Sequence, residues 1–545
     1  MIFLVSKQTI AIIRQYMRNS SSKNCQTFKN LPPTHGHYTL RIRKHWHPRL
    51  NATLKPCAPH LGTTEQSRYH IVMKNLLYIV LYTWSLLCRA DGLPDLGDTS
   101  QEAMSQQQER KIGEQSMFEI RSDKDYLDDA EVNDYLNQLG YQLVSNSNEP
   151  SQEFEFFALN DNTINAFALP GGFIGVNTGL ILMAQSESEL ASVLSHEIAH
   201  VTQHHLARMV AGQKIDSVAA IAALAVAILA ARSNPQTSQA AIVGMQAGSI
   251  QRQLNFTRIH EQEADRIGLS TLKKAGFDPH AMPIFFERLQ KSTRLLDNSM
   301  PTYLRTHPIT SDRIADVANR VQQTPYRLVA DSLSFQLVRA KLRAIQKNSQ
   351  EAINFFKSAI GEQKHGNQTA QRYGLVLALM RAGQVARATQ EFTPLQTLTS
   401  QNPMIATLAG QIKRMDKSNT NTTEFYRNAT QSFPQHRALA YDYVELLLEA
   451  KRFEDALKLL NEQIITHPND LRLHELLARN YAALGKRQEE HHALAYTYIL
   501  RGNLLNAIEQ LELAKSAGTD FHELSIIESE LKQFKEIAAA RAKKN

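Results

Sequence analysis

Residues 101–117 read as a polar helix, and residues 128–145, where apolar positions recur at intervals of three and four, as a second one. Residues 154–159 alternate loosely between aromatic and polar positions and predict a strand. Residues 165–169 run into Pro170-Gly171-Gly172, a turn, and residues 173–178 predict a second strand that closes a hairpin. Helical spacing then holds through residues 187–210 as one long helix. Residues 215–231 are apolar and rich in alanine, and a second small-residue stretch covers 240–247. Together these predict a buried helical hairpin, with a lid over a neighbouring site, or an element that touches a membrane, as the sharper alternative. The alanines make the stretch weakly hydrophobic per residue, which argues against a true span.

Beyond about residue 330 the pattern becomes helical with a repeat. Ala352-Phe356-Ala359 is followed 36 residues on by Ala388-Phe392, and Ala456-Leu460 lies 68 residues after that pair. Pro434 and Pro468 are 34 apart. Leu477-Ala478-Tyr481-Gly485 fits the first helix of a unit, and Ala495-Tyr498-Gly502 with Ala507-Leu511-Ala514 fits a final one. A period near 34 with small and bulky residues at these offsets is that of tetratricopeptide repeats, four to six of them here, which stack into a curved surface that holds polypeptide segments. A chain of 545 residues is also too long for one core, so at least two domains are expected.

Charge divides the chain further. Residues 1–72 hold eleven Lys/Arg against Glu65 alone, and the formal total of +7 leaves residues 91–545 mildly acidic, with no electrostatic case for nucleic-acid binding. Between these parts, Lys74 precedes an apolar run too short to span a bilayer comfortably, and Cys88-Arg89-Ala90 ends in a small residue before Asp91-Gly92. That is the layout of a secretory signal at 73–90, starting at Met73 and cut near Ala90. The alternative is an internal buried helix. On the signal reading, the basic extension 1–72 is expected to lie upstream of the true start. Cys25, Cys57 and Cys88 all precede residue 91, so the body of the chain has no thiolate to offer a metal, and only His and carboxylates remain as strong ligands.

Such ligands occur at 196–200, His-Glu-Ile-Ala-His. Positions i and i+4 share a helix face, so His196 and His200 can present imidazoles to one ion while Glu197 takes a proton from a zinc-bound water. A catalytic zinc needs a third protein ligand. Glu261 is the candidate, with Asp265 one turn on to accept a hydrogen bond from a ligand histidine. Glu263 is expected to be a solvated carboxylate, and His204 and His205 to be exposed or capping. His35, His37, His45 and His47 would form a metal cluster only on paper, since they lie in the basic extension.

His196-Glu197-x-x-His200 followed by Glu261-x-x-Ala264-Asp265-Arg266-Ile267-Gly268, then Ala275-Gly276-Phe277-Asp278-Pro279 and Thr306-His307-Pro308 with Arg313-Ile314, resembles the M48 peptidases across residues 91–545. The resemblance implies an α+β fold: a mainly helical zincin metallopeptidase domain with a small sheet at 91–328, then an all-α tetratricopeptide solenoid at 329–545. It implies one zinc held by His196, His200 and Glu261, with Glu197 as general base. It gives Asp265 as a proton donor, although a carboxylate bonded to a ligand imidazole is better placed to orient it. His307 is implied as a fourth ligand that holds the enzyme latent, or as a stabiliser of the oxyanion, with a plain His-Pro turn as the bland alternative. A periplasmic setting is implied. The clients would be misassembled outer-membrane β-barrel proteins, reached with the barrel-assembly machinery through the repeats, and peripheral membrane contact stays open. Residues 173–176 are expected to offer the sheet edge on which a substrate lies. The rival readings are a chaperone or adaptor whose zinc site is structural or plugged, and a membrane-embedded peptidase.

Overall fold

The computed structural model describes residues 104–213, 247–295, 302–362, 367–416, 421–518 and 520–542. The extension 1–72, the segment read as a signal at 73–90 and the apolar stretch 215–231 lie outside them.

Helix α1 (Gln106–Ser122) opens on a capping box between Ser105 and Gln108. Helix α2 (Ala130–Val144) opens on Asp129, whose carboxylate accepts from the amides of Glu131 and Val132. Three strands follow: β1 (Glu155–Leu159), β2 (Ala166–Leu169) and β3 (Phe173–Asn177). The approach to the turn is thus itself a strand. β2 and β3 form the antiparallel hairpin across Pro170–Gly172, while β1 pairs with β3 in parallel, giving the order β1-β3-β2.

This order corrects the expected substrate edge: β3 is the central strand, bonded on both sides. The outer edge of β1 is closed by α2. Asn137 Oδ1 accepts from the Phe156 amide at 3.1 Å, its Nδ2 donates to the Phe156 carbonyl at 2.7 Å, and Asn133 Oδ1 accepts from the Ala158 amide at 2.9 Å. Side-chain amides that mimic a neighbouring strand blunt an edge. The opposite edge belongs to β2. Because Asn177 N–H donates to Asn165 O, the hydrogen-bonded pairs of the hairpin fall on Asn165, Phe167 and Leu169, and the peptide groups of Ala166 and Ala168 face outward.

Helix α3 (Thr178–Met183) leads into α4 (Glu187–Thr202), capped by Ser186. All of α4 except His200 is buried, so its polar residues need internal partners. The single helix expected over 187–210 is broken at His204, whose φ of +49° turns the chain before α5 (His205–Gln213). Helix α6 (Ala247–Lys274) crosses α4 so closely at Gly268 that a Cβ there would stand 2.9 Å from Ser195 O and 3.0 Å from His196 N. Helices α7 (Ala281–Leu295), α8 (Thr302–Thr306) and α9 (Ser311–Val321) complete this part. Among the described residues no helix is long and apolar enough to cross a membrane.

From Leu333 onward the chain is a succession of helices, each packed on the next, with a small three-stranded sheet left behind in the first part: the α+β architecture expected. Most of the alanines and bulky residues that marked the period are core. Ala352, Phe356, Ala388, Phe392, Ala456, Leu460, Ala478, Ala495, Ala507, Leu511 and Ala514 are all buried. Gly485 and Gly502 end their helices in the left-handed region. Phe118 of α1 packs over Gly502, where a Cβ would come within 2.5 Å of its ring, and Ser122 Oγ donates to Arg501 O at 3.2 Å.

Glu131 ties this helical array to α2. Lys341 Nζ lies 2.7 Å from its carboxylate and 2.6 Å from Asp129, and His436 Nε2 is 3.1 Å away on the other oxygen. Burial pushes the Glu131 carboxyl up, but Lys341 and His436 outweigh it and hold it at about 2, below its ordinary 4.5. Glu131→Leu is expected to cost about 3 kcal/mol by leaving Lys341 and His436 short of their buried partner. A depressed carboxyl stabilises fully above about pH 4.5 and loses that contribution as pH falls toward 2. Denaturant titrations should therefore show a gap between wild type and variant at pH 7 that narrows at pH 3.

Candidate metal centre

Helix geometry stacks His196 and His200 one turn apart on α4, with their Nε2 atoms 3.0 Å apart. The close crossing at Gly268 brings Glu261 of α6 against them, its oxygens 3.5 Å from His196 Nε2 and 3.4 Å from His200 Nε2. His307, just past α8, inserts Nδ1 3.0 Å from Glu261 Oε1 and 3.4 Å from His196 Nε2. The four ligand atoms all lie within 4.8 Å of one another. Three imidazole nitrogens and a carboxylate converging in a buried space leave too few protons to separate them. A shared cation at their centre fits this donor set, and nitrogen and oxygen donors without sulfur suit a first-row transition ion.

The far side of His196 is held by carboxylate and guanidinium. His196 Nδ1 is 3.0 Å from Asp265 Oδ1, and Arg313 donates to both Asp265 oxygens at 2.7 Å. Arg313 Nη1 also reaches Glu261 Oε2 at 2.7 Å and the Pro308 carbonyl at 2.8 Å. Burial pushes the Asp265 carboxyl up, but Arg313 and His196 outweigh it and hold it below the ordinary carboxylate range. Burial likewise opposes ionisation of Glu261, and the three histidines around it hold it well below that range. Asp265 is 1% exposed, with both oxygens engaged by Arg313 and one of them also by His196.

Glu197 is 1% exposed, and neither of its oxygens has a hydrogen-bond partner among the described residues. His307 Nε2 stands 3.6 Å from its Oε1. Burying a carboxylate whose oxygens accept no hydrogen bond is costly. Tyr303 stacks on His307 with ring centroids 4.8 Å apart. In front of Glu197 lies a cavity of about 310 Å³, its wall mostly apolar through Phe167, Leu169, Val201, Leu206 and Met209. Ala168 on the outward edge of β2 also lines it.

The structure therefore gathers His196, His200, Glu261, Asp265, His307 and Glu197 into one centre. Other expectations change. His204 and His205 are buried, not exposed. His205 Nδ1 is 2.8 Å from His200 Nδ1, and its ring stacks on His260 at 4.2 Å. Glu263 is not a free solvated carboxylate: it meets His205 Nε2 at 3.2 Å and Arg208 Nη1 at 2.9 Å. Burial pushes the His205 imidazole well below its ordinary value, assisted by His200. Arg313 was legible only as part of a resemblance, not as a member of the site.

Residues 130–321 match the model of Peptidase family M48, and residues 417–479 match a tetratricopeptide repeat model. The chain is 36% identical over 419 residues to the putative beta-barrel assembly-enhancing protease of Vibrio cholerae, covering 76% of this chain and 86% of the relative. It is 33% identical over 430 residues to the beta-barrel assembly-enhancing protease of Escherichia coli strain K12, covering 78% and 88%. A mitochondrial metalloendopeptidase of Schizosaccharomyces pombe is 31% identical over 183 residues, 34% of this chain and 51% of the relative.

Proposed function

Given that the chain belongs to peptidase family M48 and is a metalloendopeptidase, we propose that it is a zinc enzyme of the bacterial periplasm that cleaves unfolded or misassembled outer-membrane β-barrel proteins, in a quality-control role with a chaperone-like side. Residues 91–328 carry the catalysis. Residues 329–545 hold clients and contact the barrel-assembly machinery, a reading supported by the named relatives and by the stacked repeats.

The convergence of His196, His200 and Glu261 carries the metal assignment. When bound there, zinc supplies Lewis-acid polarisation of a water and of the scissile carbonyl. Glu197 takes the proton of the attacking water and delivers it to the leaving amine, a role that its unpartnered oxygens support. Asp265, gripped by Arg313, keeps His196 in the tautomer that offers Nε2. The substrate lies extended along the outer edge of β2, where the outward peptide groups at Ala168 give backbone pairing with little sequence preference.

His307 acts as a fourth ligand that keeps the enzyme latent. Its Nδ1 stands among the other three ligand atoms and its Nε2 faces Glu197, so it fills the space that a water needs. The same observation favours a second reading, an adaptor whose site is permanently plugged. Cleavage of an unfolded outer-membrane barrel protein separates them. His307→Ala is expected to retain zinc and to cleave roughly tenfold faster than wild type, as for an active state about one-tenth populated. Slower cleavage with zinc retained would assign His307 to oxyanion stabilisation instead. Silence of both proteins with zinc bound would favour the adaptor.

A further inference from the structure

We infer that His205 is a positioning residue for the metal: it accepts the Nδ1 proton of His200, and Glu263 with Arg208 holds it in the one tautomer able to do so. The inference rests on the reading above, that His200 binds metal through Nε2.

The proton count leads there. His200 Nε2 faces His196 Nε2 at 3.0 Å and Glu261 Oε1 at 3.4 Å, inside the ligand cluster. A neutral imidazole that gives one nitrogen's lone pair to a metal carries its proton on the other. For His200 that other nitrogen is Nδ1, and it stands 2.8 Å from His205 Nδ1. Two ring nitrogens at this separation share one proton, and it has to be that of His200. His205 must then present a bare Nδ1 and carry its own proton on Nε2. Nε2 meets Glu263 Oε2 at 3.2 Å, an acceptor that fixes this tautomer, and Arg208 Nη1 pins the same oxygen at 2.9 Å. His260 stacks on the ring with planes 4° apart and limits its rotation.

The backbone is shaped for this contact. In an unbroken helix a residue at i+5 points about 140° away from residue i, so His205 could not reach His200. Helix α4 ends at Thr202, His204 takes φ +49°, and α5 restarts at His205, which folds the imidazole back beneath His200. A positive φ at a non-glycine residue costs free energy and marks a position with a task.

Both ligand histidines of α4 are thus backed by a carboxylate and an arginine. His196 leans directly on Asp265, which Arg313 grips, and His200 leans on Glu263, which Arg208 grips, through an interposed imidazole. The interposed ring keeps the Glu263 carboxylate one residue away from His200, so the ligand is oriented without a third carboxylate in direct contact.

The test uses the full chain and reads metal retention, not activity. Zinc extraction by a chromophoric chelator is timed for wild type, His205→Leu, His205→Gln, Glu263→Leu and His200→Ala, with thermal melting of each metal-free protein alongside. Loss of such outer partners costs about 10–100-fold in metal affinity. His205→Leu should release zinc faster by that factor while its metal-free form melts as wild type does. His205→Gln, whose carbonyl can accept from His200, should return most of the retention, and Glu263→Leu should fall between. Release from His205→Leu at the wild-type rate would overturn the inference, as would equal losses from Leu and Gln, since a packing role predicts those. If wild type holds no stoichiometric zinc, or His200→Ala holds it equally well, the metal reading itself fails and the positioning role falls with it.

Discussion

Glu197→Gln is expected to lower kcat for peptide hydrolysis by about 10²–10⁴-fold, the usual worth of a positioned general base, while zinc content and KM stay near wild type. The exchange is close to isosteric, so the cavity of about 310 Å³ in front of it keeps its shape. What changes is the ability to accept a proton. Neither oxygen of Glu197 has a partner among the described residues, so the substitution breaks no internal hydrogen bond. The metal-free variant should therefore melt no lower than wild type. The combination is informative because a misfolded site would lose zinc and stability together. Retained hydrolysis in the zinc-loaded variant would remove Glu197 from the mechanism.

The parts of the site that could be read in the sequence are those whose geometry is local. His196, Glu197 and His200 share one helix face, and Glu261 with Asp265 repeats the same one-turn spacing, so periodicity alone fixes which side chains travel together. The solenoid was legible for the same reason: each repeat contacts mainly its neighbours, and buried alanines and bulky residues recur at the period. The parts that could not be read depend on distant partners or on breaks in the pattern. Nothing local says that β3 pairs on both sides, because a parallel partner 18 residues upstream leaves no turn signal. Apolar spacing carried the helix through residue 210, and the positive φ at His204 that redirects His205 comes from no glycine or proline. Glu263 looked solvated because its partners, His205 and Arg208, lie more than fifty residues earlier.

Arg313 was hidden in the same way, 48 residues from Asp265, and its removal should have the largest effect on stability. Arg313 is 2% exposed and neutralises two buried carboxylates at once, Asp265 through both oxygens and Glu261 through one. Arg313→Met leaves both charges without a guanidinium, which costs about 3–5 kcal/mol for a broken buried pair. Arg313→Lys should recover little, because one ammonium cannot reproduce the planar fork that also reaches the Pro308 carbonyl. The pH dependence follows from the direction of the shifts. Asp265 and Glu261 are held below their ordinary values of 3.8 and 4.5, so in wild type their contribution is complete above those values and is lost as pH falls through the lower folded-state values. In Arg313→Met burial acts with less opposition and raises Asp265, so the variant is weakest where wild type is strongest. The stability gap measured by denaturant should thus be widest near pH 7 and should close as the solution is acidified below about pH 4. Added zinc should restore part of the loss at neutral pH, since a cation bound by Glu261 offsets one of the stranded charges. A gap that stayed constant with pH would mean that Arg313 acts through packing, and its contact with the Phe286 ring at 5.4 Å would then be the place to look.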